Sequence, residues 1–122
     1  MATVNHELMV TLPAAADYST TGQYRFVTVN TDGEAALIAS AGVDAIGVLS
    51  NNPGSKQAGR VVFGGKTKVI LGATVAAGAK VATDNAGRAV TASGNHVLGK
   101  CLKGGDIGEI GEILLVSKHI LA

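Results

Sequence analysis

Two stretches of the chain, VTVNTDGEAALIASAGVDAIGVL (residues 27–49) and AKVATDNAGRAVTASGNHVLGKCL (79–102), run in parallel, and this internal repeat restricts the possible folds more than any other feature. Gly33 pairs with Gly87, Ser40 with Ser93 and Gly47 with Gly99, once two residues are dropped on the way. The match continues where QAGRVVFG (57–64) aligns with EIGEILLV (109–116), setting Gly59 against Gly111. Each half reads as strand, turn, strand, small loop, strand ending after a glycine, longer Gly-rich loop and final apolar strand. Asp32-Gly33 and Asn85-Ala86-Gly87 can supply the positive φ that a tight hairpin needs. The pattern predicts an all-β fold: a small antiparallel barrel or sandwich built from two repeated β-meander halves, at about residues 22–71 and 78–116.

Local composition complicates this at one place. EAALIASA (34–41) is made of good helix formers, but its repeat partner RAVTAS is not, and about eight residues are too few for a helix on pattern alone. Both are expected to be strands. No crossover helix is available for a parallel sheet.

GRVVFGGKTKV (59–69) ends like a phosphate loop, yet the second glycine of that motif belongs five positions before Gly65, where Arg60 stands. We expect instead a strand Val61-Val62-Phe63, a turn or bulge at Gly64-Gly65, and a new strand from Lys66 to Leu71 with Lys66 and Lys68 on one solvated face.

The 122 residues suit one domain, with 17 glycines, four aromatics and no tryptophan, so the core must be built from Val, Ile, Leu and Ala between turns. A net charge of +1 offers no field for nucleic acid, and no apolar run is long enough for a membrane-spanning helix; neither partner is expected. The single cysteine, Cys101 in VLGKCLK, reads as a small apolar strand residue, with a reactive or intermolecular thiol as the alternative.

His6, His96 and His119 lack metal-ligand spacing, and Asp106, Glu109 and Glu112 lack the ligand order of a calcium loop. No serine sits in a Gly-x-Ser-x-Gly elbow. The expectation is a protein without catalytic residues, cofactor or metal. Ahead of the repeat, residues 1–17 form an arm or edge strand and residues 18–122 the β domain. Leu8, Val10 and Leu12 lie on one face of an apolar stretch, Met9 and Thr11 on the other, and Pro13 ends it. That stretch is either a strand of the chain's own sheet or an arm that adds to a partner.

VTLPAAADYSTTGQYRFV, ATVAAGAKVATDNAGRAV and the paired IGVL (46–49) and LGKCL (98–102) resemble the head decoration, or capsid cement, proteins of tailed bacteriophages over nearly the whole chain. The resemblance implies a structural subunit on the outer capsid surface of the virion, made in the host cytoplasm. Its partners would be the major capsid protein and two further copies in a homotrimer, and it would brace the head against the pressure of packaged DNA. Carried onto this chain, it makes Leu8, Met9, Val10, Thr11 and Leu12 the capsid contact, and removal of residues 1–12 is expected to leave a folded domain that no longer decorates heads. The reading from another class is a β-barrel module that binds a small molecule or carbohydrate, and a small enzyme using Cys101 is a third.

Overall fold

The computed structural model describes residues 8–93 and 96–115. His6, His119 and residues 1–7 of the expected arm lie outside them, as does Val116 at the end of the second half. Nine strands and no helix occur among the described residues: β1 (Leu8–Pro13), β2 (Arg25–Val29), β3 (Ala35–Leu37), β4 (Gly47–Leu49), β5 (Ala58–Ile70), β6 (Lys80–Thr83), β7 (Ala89–Thr91), β8 (Gly99–Lys103) and β9 (Ile110–Leu115). All ladders are antiparallel, in the order β3-β2-β4-β5-β9-β8-β6-β7, with β1 also paired to β5. The expected all-β antiparallel class is what the chain adopts.

The repeat persists bond by bond. β2 pairs with β3 and β4, and β4 with β5; β6 pairs with β7 and β8, and β8 with β9. In the first hairpin Asn30 Oδ1 accepts from the amides of Asp32 and Glu34, and in the second Asp84 Oδ1 accepts from those of Ala86 and Arg88. These side chains fold the turn from within, while Gly33 (φ 76°) and Gly87 (φ 78°) take the left-handed conformation. The longer loops match too: Gln57 Oε1 accepts from the Gly54 amide as Glu109 Oε1 accepts from that of Asp106.

Of the turn or bulge expected at Gly64-Gly65, β5 has the bulge, and it departs from expectation in running on as one strand. Gly64-Gly65 is not a reversal between two strands but a kink inside one strand of 13 residues. Gly65 has φ 83°, and the register against β1 slips at Leu8/Met9, so Phe63 is the extra residue of a bulge. The strand bends because its two ends serve different halves: Ala58 to Gly64 pair with β1, and Gly65 to Ile70 with β9. Lys66 and Lys68 are exposed on one face as expected. Phe63, expected in a buried strand, is 39% exposed because the bulge turns it outward.

Strand β1 belongs to the chain's own sheet, and it is the first half's counterpart of the second part of β5. Ala14 bridges Ala35 in parallel as Leu71 bridges Ala89, and the amides of Ala15 and Gly72 donate to the carbonyls of Ala35 and Ala89 at 2.9 and 2.8 Å. Each half thus curls back on itself. Removing residues 1–12 would strip a ladder from β5 and take away Leu12, which packs on the first core, so the expected folded truncation does not follow.

Two cores result, and they correspond residue for residue. Ala14, Tyr18, Val27, Ala35, Leu49 and Val61 fill the first half; Leu71, Val75, Val81, Ala89, Cys101 and Ile113 fill the same places in the second. Volumes compensate between neighbours: Ala14 beside Tyr18 stands against Leu71 beside Val75, and Leu49 with Val61 against Cys101 with Ile113. Tyr18 brings a hydroxyl, which accepts from the Leu37 amide at 3.1 Å. A third layer, Phe26, Ile38, Ala45, Val48, Val62 and Leu115, is buried in the same cluster as the second core and joins the halves. At the second half's counterparts of Phe26, Val48 and Val62 stand Lys80, Lys100 and Leu114, all exposed.

The first hairpin is also tied to the loop before β5. The Lys56 ammonium pairs with Glu34, whose side chain is 10% exposed, and Asn30 Nδ2 donates to the other carboxylate oxygen at 3.0 Å. The Lys56 hydrogen bond, with Asn30 second, holds the Glu34 carboxyl below its ordinary 4.5. A depressed folded-state pKa stabilises the fold above the unfolded value, and the contribution disappears as pH falls through the folded one. Thermal unfolding between pH 7 and pH 3 is therefore expected to show a falling midpoint, with Glu34→Gln less stable at pH 7 and less sensitive to acid. An acid limb unchanged in that variant would remove Glu34 from the account.

Candidate functional site

Among the described residues strand β1 has one ladder, to β5, and its other edge is open. The Ala14 amide donates to Gln57 O and its carbonyl accepts from Lys56, so Ala14 faces β5. Alternation along an antiparallel strand then turns Leu12 and Val10 to β5, and Met9, Thr11 and Pro13 away from it. In the second half the counterpart of Pro13 is Ile70, whose amide donates to the Tyr24 carbonyl at 2.8 Å across the joint. A proline at this position leaves no amide to satisfy. Met9 and Thr11 keep their amides and carbonyls on a free edge among the described residues.

Side chains make that edge apolar. Leu8 is 53%, Met9 48% and Val10 39% exposed, beside the outward-turned Phe63. Leu8 and Val10 line a groove of about 420 Å³ at the joint, with Ala45, Ile46, Phe63 and Leu115 as its other apolar walls. Gly64 and Gly65 also line it, and a Cβ on Gly64 would come within 2.9 Å of the Leu8 side chain. Asp44 puts a carboxylate beside these walls, its Oδ1 accepting from the Ala45 amide at 3.0 Å. Met9 opens on the opposite side, near Tyr24, Arg60 and Lys68.

Of the five residues singled out in the sequence, Leu8 and Val10 share this groove, Met9 lies on the far face, Thr11 is exposed beside it, and Leu12 turns inward onto the first core. Ile46, Phe63 and Leu115 complete the groove from three distant segments, and nothing local in the sequence marked them. A run of outward apolar side chains next to a groove can take an extended segment by strand addition, with its side chains seated in the cavity.

The other candidates acquire structural partners. Cys101 is buried on β8, and burial pushes its thiol up, the opposite of what a nucleophile needs. Glu112 is held low, chiefly by its bond with Lys66 at 2.9 Å, and Asp106 accepts from Thr74 Oγ1 at 3.3 Å. No group of three or more His, Cys, Asp or Glu side chains converges on a metal position among the described residues.

No family model matches the chain, and no curated protein matches its sequence. Among solved structures it is similar to the N base of the head fiber protein gp8.5 of bacteriophage phi29, with a TM-score of 0.69 over 92% of this chain and 98% of that one. Identity between the two is 20%, so the likeness is one of fold, and it spans both halves of the repeat.

Proposed function

We propose that the protein is a structural component of a tailed-phage virion that binds the outer surface of the assembled head and braces it against internal pressure. The observation that carries this reading is the open, apolar edge of β1 beside the joint groove, a surface suited to an extended capsid segment. A fold shared with the base of a phage head fiber supports the setting, as does the sequence resemblance to head decoration proteins. Three copies acting as a homotrimer would convert weak footholds into one firm attachment through effective concentration.

The test is sedimentation with heads of the encoding phage that lack this protein. Leu8→Asp and Val10→Asp place charge in the groove without touching either core, and each is expected to weaken occupancy by about tenfold or more. Full occupancy by both variants would reject the β1 edge as the contact. Light scattering should give three chains per particle, and a monomer would reject the trimer.

A second reading has one observation behind it: a groove of about 420 Å³ falls in the size range of small-ligand sites. It predicts heat on titration with small apolar ligands and heads that bind no protein.

A further inference from the structure

The outer face of the second half carries charge of one sign in a pattern that folding does not require. Cross-strand partners place Lys80 beside Lys100, Lys100 beside Leu114, and Leu114 beside Lys66, one row across β6, β8, β9 and β5. In the next row Lys103 and Lys68 flank Glu112 from either side. All five lysines are exposed, and Glu112, the acidic group of this face among the described residues, already bonds Lys66.

Like charges directly opposite each other weaken a sheet. A repeat face turned to solvent does need to be polar, but interspersed charges of both signs would meet that need. The first half, built on the same plan, has Phe26, Val48 and Met9 at the counterparts of Lys80, Lys100 and Lys66. A chain with a net charge of +1 thus gathers five of its ten cations on one sheet face.

The geometry points to this face as a docking surface for an acidic protein surface, separate in chemistry from the apolar β1 edge and not dependent on the head-binding reading. Exposed Leu114, Leu102 and Ile110 stand among the lysines, which fits carboxylates arranged around an apolar contact. Strands β6, β8 and β9 carry no arginine to fork onto phosphate and no aromatic on which a base could stack, while Arg60 and Tyr24 stand at the β5 end, beside Lys68. The apolar side chains among the lysines favour a protein over a nucleic acid.

The test uses the full chain, isotope-labelled, with a glutamate–leucine copolymer, poly-L-glutamate and a short DNA duplex as probes. At 150 mM salt the copolymer is expected to shift the amides of Lys66, Lys80, Lys100, Glu112 and Leu114 together and to bind more tightly than poly-L-glutamate. Lys66→Gln with Lys100→Gln is expected to weaken that binding about tenfold, and Lys56→Gln, in the first half, less than twofold. Tighter binding of DNA than of the copolymer at the same amides would overturn the proposal in favour of nucleic acid. Absence of shifts on this face with all three probes would overturn it outright.

Discussion

Gly47→Ala is expected to remove more than about 3 kcal/mol of stability, a large share of the roughly 5–15 kcal/mol typical of a domain. Gly47 opens β4, pairs with Val27 and lies under β5, and a Cβ there would run into the Val62 carbonyl oxygen. The obstruction is backbone in a continuous strand held by β1 on its other side, so no rotamer change relieves it. The repeat supplies an internal control. Gly99 opens β8 in the same way, but its Cβ would lie 2.6 Å from the Leu114 carbonyl oxygen, a milder overlap than at Gly47. Gly99→Ala should therefore be less damaging, whereas Gly33→Ala, with nothing within 4 Å of the new Cβ, meets the strain of its φ of 76° alone. Denaturant unfolding of the three variants tests the order. A Gly47→Ala midpoint equal to wild type would mean that β4 and β5 do not approach as described.

Those glycines are also the reason the repeat was legible. Gly33 with Gly87 and Gly47 with Gly99 mark places where backbone conformation or strand approach forbids a side chain, and such positions leave a trace in sequence. Strand β1 left none. Leu12, Pro13 and Ala14 answer Val69, Ile70 and Leu71, and these pairs share little beyond apolar character. Its membership of the repeat shows through pairing partners alone, with Leu12 opposite Gly59 and Val69 opposite Gly111. The continuity of β5 was hidden for the opposite reason: Gly64-Gly65 can serve a reversal or a kink, and two halves pulling on one strand decide between them. The groove was beyond reach from local pattern because its walls come from β1, the loop before β4, the β5 bulge and the end of β9.

Joining two copies of one plan also requires that their outer faces differ, and Phe26 is where the difference is largest. In the first half it is fully buried at the joint, its amide donating to the Gly87 carbonyl at 2.7 Å, and Arg25 Nη1 donates to the neighbouring Ala86 carbonyl at 3.0 Å. Its counterpart Lys80 faces solvent. Phe26→Ala is expected to lose about 3–5 kcal/mol, and Lys80→Ala to stay within about 0.5 kcal/mol of wild type. Loss of the joint should also change the manner of unfolding. The layer of Ile38, Ala45, Val48 and Val62 would keep one face against a cavity, while both inner cores, six residues each, stay intact. Unfolding followed by Tyr18 fluorescence in the first core, with Tyr24→Phe as the background, and by exchange of β8 and β9 amides in the second should then give transitions that no longer coincide. Coincident transitions at an undiminished midpoint would show that the continuous β5 strand, and not the apolar layer, couples the halves.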